Sequence, residues 1–176
     1  MTNLNDKNKI VSFCWLTGIF LAWLDGKKST LYRDCFDCFN IPMNNMDNFT
    51  YFNQGTTLML CYGLLVYPQE FWKNYIDFKK MNDFVLNNYK KNILELFEVE
   101  KNEGNEKINI EILLRHLRNS ISHSTIEINH EYFKFIDINK TTKKKFVTKI
   151  SQKDLGLFLH EMGSYFVSLD QNSESL

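Results

Sequence analysis

Apolar residues recur at spacings of three and four through most of this chain, and the pattern changes to alternation after His123. Ile10 to Leu24 is a charge-free run of fifteen residues behind Lys7 and Lys9. As a helix it covers about 22 Å, short of the roughly 30 Å of a bilayer core, and the turn-like Asp25 to Lys28 follows it. Being apolar all round, it is expected at the centre of a bundle or at a subunit interface. Residues 26–50 carry aromatics with no clean period, and Asn44 to Asn48 reads as a loop. Thr57 to Val66 is an unbroken apolar run closed by Pro68, so a buried helix should break or kink at Tyr67 and another begin at Pro68. Helical spacing continues through Phe71, Trp72, Tyr75, Ile76 and Phe78, and again through Phe84, Val85, Tyr89, Ile93, Leu94 and Phe97. Val99 to Lys107 reads as a solvated loop. Ile110, Leu113, Leu114, Leu117 and Ile121 then form the buried stripe of an amphipathic helix starting at Asn109 or a neighbour. Alternation over residues 125–128, 132–136 and 146–150 predicts short strands, with turns at Asn129-His130 and Lys140 to Lys145. Ser151 with Asp154 is a helix start, and Leu155, Phe158, Leu159, Met162 and Phe166 carry a terminal amphipathic helix. The expected fold is mainly α, a helical bundle with a small β-hairpin or short sheet after the Asn109 helix. Residues 1–170 form one domain and 171–176 a disordered tail.

Composition narrows the function. A 44% hydrophobic content supports one substantial core. Twenty-one basic residues balance twenty-one acidic ones, which argues against an indiscriminate nucleic-acid binder with a strongly basic surface. Positive charge, if it serves a nucleic acid, has to be local, and Arg115, His116, Lys140, Lys143, Lys144 and Lys145 are the candidates. The cysteines, Cys14, Cys35, Cys38 and Cys61, are read as reduced, the state expected in the cytoplasm. Cys35 and Cys38 form a lone CxxC with no second pair and no histidine before His116, so neither a metal site nor a cofactor is expected.

The chemistry concentrates in Leu113 to His123, LLRHLRNSISH. Arg118 and His123 stand five apart, roughly 140° around a helix, whereas Asn119 and His123, four apart, share a face. Imidazole titrates near neutral pH and serves as general base or acid. Guanidinium stays charged and presents a planar fork to phosphate oxygens. With Asn119 and the Ser122 hydroxyl, these groups make a phosphodiester site. From spacing alone a plainer reading stays open: Arg118 and Asn119 as ordinary exposed helix residues, and His123 as a cation favoured by the helix C-terminus.

Arg118-Asn119-Ser120-Ile121-Ser122-His123 resembles the signature of the HEPN superfamily of ribonucleases: Arg, a polar residue, three more residues, then His at a helix end. LLVYPQE, Leu64 to Glu70, looks like the hydrophobic-proline-acidic element of the small HEPN nucleases of mobile-element and defence neighbourhoods. The order of motif helix, strands including FKFID, and a last helix reading LFLHEMGSYF is similar to those proteins as well. The resemblance covers about residues 50–170 and implies a HEPN-like bundle working as a homodimer. It also implies a metal-independent endoribonuclease that leaves 2′,3′-cyclic phosphates, a toxin or antiviral effector with an antitoxin or regulatory protein as a further partner. Carried over by position, Arg118, Asn119 and His123 are catalytic, and Arg115, His116, Ser122, Lys143 and Lys144 are expected to bind RNA. Arg115 and His116 are alternatively solvated or supporting residues. The competing readings are a catalytically weak HEPN-like module that binds RNA or protein, and an unrelated helical adaptor.

Overall fold

The computed structural model describes residues 11, 14–23, 54–71, 76–129 and 131–173. The CxxC pair, the aromatics of residues 26–50 and His130 lie outside the described residues. Helix α1 spans 14–23. A second apolar helix comprises α2 (Gln54–Cys61), a π turn (Tyr62–Val66) and α3 (Tyr67–Phe71). Then come α4 (Phe78–Tyr89), a 3-10 turn (Ile93–Leu96), β1 (Glu98–Asn102) and the motif helix α5 (Ile110–Ser122). Strands β2 (Ile126–Ile128), β3 (Tyr132–Ile138) and β4 (Lys145–Ser151) lead into α6 (Gln152–Ser173). The fold is mainly helical with one antiparallel sheet in the order β1-β4-β3-β2. Among the described residues no helix is long and apolar enough to cross a membrane.

The core lies between the sheet and the helices. Leu113, Leu114 and Leu117 of α5 share one buried cluster with Leu64 and Leu65 of the π turn, Phe133 and Phe135 of β3, and Phe158 and Leu159 of α6. Each such side chain contributes about 1.5–3 kcal/mol by leaving water. Local chemistry sets the boundaries of α5 and its strands. The Asn109 side chain accepts from Ile112 N–H at 2.8 Å and caps α5. At its other end Ser124 takes a left-handed φ of 54°, and Thr125 N–H bonds back to Ser120 O, turning the chain straight into β2. The Asn129 side chain closes the β2-β3 turn and the Asn139 side chain the β3-β4 turn, each accepting two backbone N–H groups. Ser151 and Asp154 form the expected cap of α6.

Five expectations change. The helix does not break at Tyr67, whose φ and ψ are −56° and −48°. Instead the five residues before it widen to a π turn, in which Tyr67 N–H bonds Tyr62 O. That extra room accommodates the Pro68 ring, which would otherwise press on a carbonyl four residues back. The helical spacing of 84–97 is split at Lys90, left-handed at φ 58°, and continues as a 3-10 turn capped by Asn92. Glu98–Asn102 of the supposed loop is the edge strand β1; its four leading side chains are exposed, so no apolar alternation marked it. Of the two places expected for α1, the bundle centre is ruled out, since Leu16, Phe20 and Trp23 are more than half exposed. Helix α6 runs to Ser173, into the segment expected to be a disordered tail.

Candidate functional site

The motif occupies the last turn of α5. Ser120 and Ile121 point into the core, and the Ser120 hydroxyl donates to His116 O. That leaves Arg118 and Asn119 half-buried at the helix edge and Ser122 and His123 exposed. His123 is the C-cap residue; its backbone N–H bonds Asn119 O, so the motif's first polar residue and its histidine are tied through the main chain.

Side chains extend this tie to the sheet. The Arg118 guanidinium donates to Asn119 Oδ1, at 2.9 Å from its terminal nitrogen. Asn119 Nδ2 donates at 3.0 Å to Oδ2 of Asp137, on β3. The same carboxylate oxygen lies 2.7 Å from His116 Nδ1. Arg118, Asn119, Asp137 and His116 thus form one hydrogen-bonded chain joining α5 to β3. Burial pushes the Asp137 carboxyl up, but the hydrogen bonds from His116 and Asn119 and the nearby positive charge outweigh it and hold it below the usual carboxylate range. The His116 ring stacks on Phe146 of β4, with centroids 4.0 Å apart and planes 9° from parallel.

A groove of about 640 Å³ opens over this chain, floored by His116, Asn119, Asp137 and Phe146. His123 lines it too, together with the β3-β4 turn. Four cations, Arg115, Lys140, Lys144 and Lys145, face two carboxylates, Glu106 and Asp137. The groove is therefore locally basic in a chain of zero net charge.

The expected residues divide as follows. Asn119, His123, Arg115, His116 and Lys144 line the groove. Arg118 does not; it lines a second concavity of about 210 Å³ with Gln69, Glu111 and Arg115. Ser122 and Lys143 are exposed outside both, Lys143 in a left-handed turn at φ 59°. His116 is buried rather than solvated, because it shares a side of α5 with Leu113, Leu117 and Ser120. Arg115 is exposed and pairs with Glu106 at 2.5 Å. Sequence reasoning missed Asp137, Glu106 and Phe146. Among the described residues, no group of three or more His, Cys, Asp or Glu side chains is placed to hold a metal ion. Cys61, fully buried, has its thiol pushed up to about 12 by burial, which makes it an inert core residue.

No curated protein and no solved structure matches this chain. A sequence model of one family, described as HEPN pEK499 p136, matches residues 23–173, which include the motif helix, the sheet and α6. Arg118 and His123 stand within that match, and the chain belongs to the HEPN pEK499 p136 family.

Proposed function

We propose that the protein is a metal-independent endoribonuclease, cutting RNA to 2′,3′-cyclic phosphate ends at a site shared between two protomers. The observation that carries this reading is the hydrogen-bonded chain from Arg118 through Asn119 to Asp137 and His116, set beside a locally basic groove that also takes His123. His123, exposed at the groove edge, accepts the 2′-hydroxyl proton. The 2′-oxygen bonds to phosphorus, the bond to the 5′-oxygen breaks, and the imidazolium returns the proton to that leaving oxygen. A guanidinium stabilises the charge that gathers on the phosphorane oxygens. Arg118 and His123 of one protomer line different concavities, which favours an Arg118 drawn from the second protomer. Asn119 orients rather than reacts, since both ends of its amide are engaged. The family resemblance supports a toxin or antiviral role, with an antitoxin or regulatory protein as partner.

The test is cleavage of a mixed RNA pool in excess EDTA by the wild type and by His123→Ala, with the 3′ ends analysed. Wild type should yield cyclic phosphates, and the variant should be slower by about 10²- to 10⁴-fold, the worth of one positioned acid-base group. Binding of RNA without cleavage by a folded dimer would favour the RNA- or protein-binding reading instead.

A further inference from the structure

The second nitrogen of His116 points to a ligand that the free protein does not hold. The Nδ1 side is fixed by Asp137, and the stack on Phe146 prevents the ring from turning. Its Nε2 is therefore aimed in one direction, and among the described residues it has no hydrogen-bond partner although it is buried. The nearest counter-charge is Glu106 Oε2, 3.7 Å away, close enough for attraction but too long for a hydrogen bond. That same oxygen is 2.5 Å from the Arg115 guanidinium. A carboxylate thus rests over an imidazole and a guanidinium without satisfying both.

Exposure separates the fixed parts from the removable one. The side chains of His116 and Asp137 are 11% and 12% exposed, those of Arg115 and Glu106 44% and 43%. Glu106 stands on the connection between β1 and α5, outside any helix or strand, and lines the groove with Lys144 and Lys145. An exposed ion pair is weak, so the carboxylate is displaced at small cost. We propose that Arg115 and His116 form an oxyanion site for a phosphate of the nucleic-acid backbone, and that Glu106 occupies this site in the free protein as a built-in competitor. This rests on the reading of the groove as a phosphodiester site. A tetrahedral oxyanion offers what Glu106 does not, one oxygen for the arginine fork and another for His116 Nε2, which donates when both ring nitrogens carry a proton.

Inorganic sulfate, whose charge does not change near neutral pH, is the probe. Its binding is followed by calorimetry and by the histidine ring resonances of the wild type, Glu106→Gln, Glu131→Gln and Arg115→Gln. Glu106→Gln should bind sulfate about two- to fivefold more tightly, the scale of the exposed pair it removes. Glu131→Gln removes the same charge from an exposed position in the β2-β3 turn, outside both concavities, and should leave binding unchanged, whereas Arg115→Gln should lose it. Equal affinity of wild type and Glu106→Gln, equal tightening by Glu131→Gln, or undiminished binding by Arg115→Gln would each overturn the proposal. Sulfate binding needs no cleavage, so failure of this site and failure of the ribonuclease reading are told apart.

Discussion

Truncating Asp137 leaves two donors without their acceptor, Nδ1 of His116 and Nδ2 of Asn119. Both are largely shielded from water, so Asp137→Ala should cost about 2–4 kcal/mol of stability. The carboxyl is held below its ordinary range in the folded state. Its contribution is therefore complete above the unfolded value of about 4 and is lost as pH falls through the lower folded value. Urea midpoints of wild type and variant should differ most near neutral pH and converge in acid; a gap that does not narrow would mean that the ionised form is not the stabilising one. Catalytic effects should follow, since Asn119 and Arg118 lose their anchor. Asp137 was not legible because it lies 18 and 21 positions from its partners and sits in a strand where a polar residue reads as solvent-facing. His116 was more accessible to reasoning. Leu113, His116, Leu117 and Ser120 keep the three-four spacing of a buried stripe, and all four are buried. Arg118, Asn119 and His123 stood out because one short helix carries them all.

Two glycines of α6 test how the elements meet. A Cβ at Gly163 would collide with the Trp15 ring of α1, whereas one at Gly156 meets nothing within 4 Å. Gly156→Ala should therefore stabilise by about 0.5–1 kcal/mol through helix propensity alone. Gly163→Ala gains the same propensity but forces Trp15 aside, an overpacking cost of about 1–3 kcal/mol. Thermal unfolding should move in opposite directions for the two variants, and the Trp15 emission should change only in Gly163→Ala when Trp23 and Trp72 are replaced by Phe. Stabilisation by both would show that α1 does not hold its place against α6. The same contrast explains what the hydrophobic pattern revealed. Helix α5 and the strands β2 to β4 were readable, because their apolar faces meet one core and their turns carry Asn at the closing positions. β1 was hidden because its stability comes from its neighbours: Glu98 and Glu100 pair with Lys149, and Glu100 also with Lys134, across the sheet. The π turn was hidden because a proline signals a break in spacing alone. Gln69 keeps the helix intact by donating its side-chain amide to Leu65 O and across to Leu114 O of α5.

At the scale of the assembly, the separation of Arg118 from the His123 groove would give the proposed dimer a specific form. If each site takes His123 from one protomer and Arg118 from the other, the two single variants are inactive for complementary reasons. Mixing Arg118→Ala with His123→Ala after unfolding and refolding together makes half of the dimers hybrid. In a two-fold dimer each hybrid regains one intact site of two, because one protomer brings the histidine and its mate the arginine. Cleavage should therefore recover to about a quarter of the wild-type rate, while each variant refolded alone stays inactive. Pairing of Arg118 and His123 within one protomer predicts no recovery, since neither chain then carries a complete site. A site that needs both histidines predicts none either, and a cross-linking control for hybrid formation keeps that outcome meaningful. The recovered fraction thus measures which residues meet across the two-fold axis: a quarter supports one histidine opposite one arginine, and its absence in a mixture shown to contain hybrids rules that arrangement out.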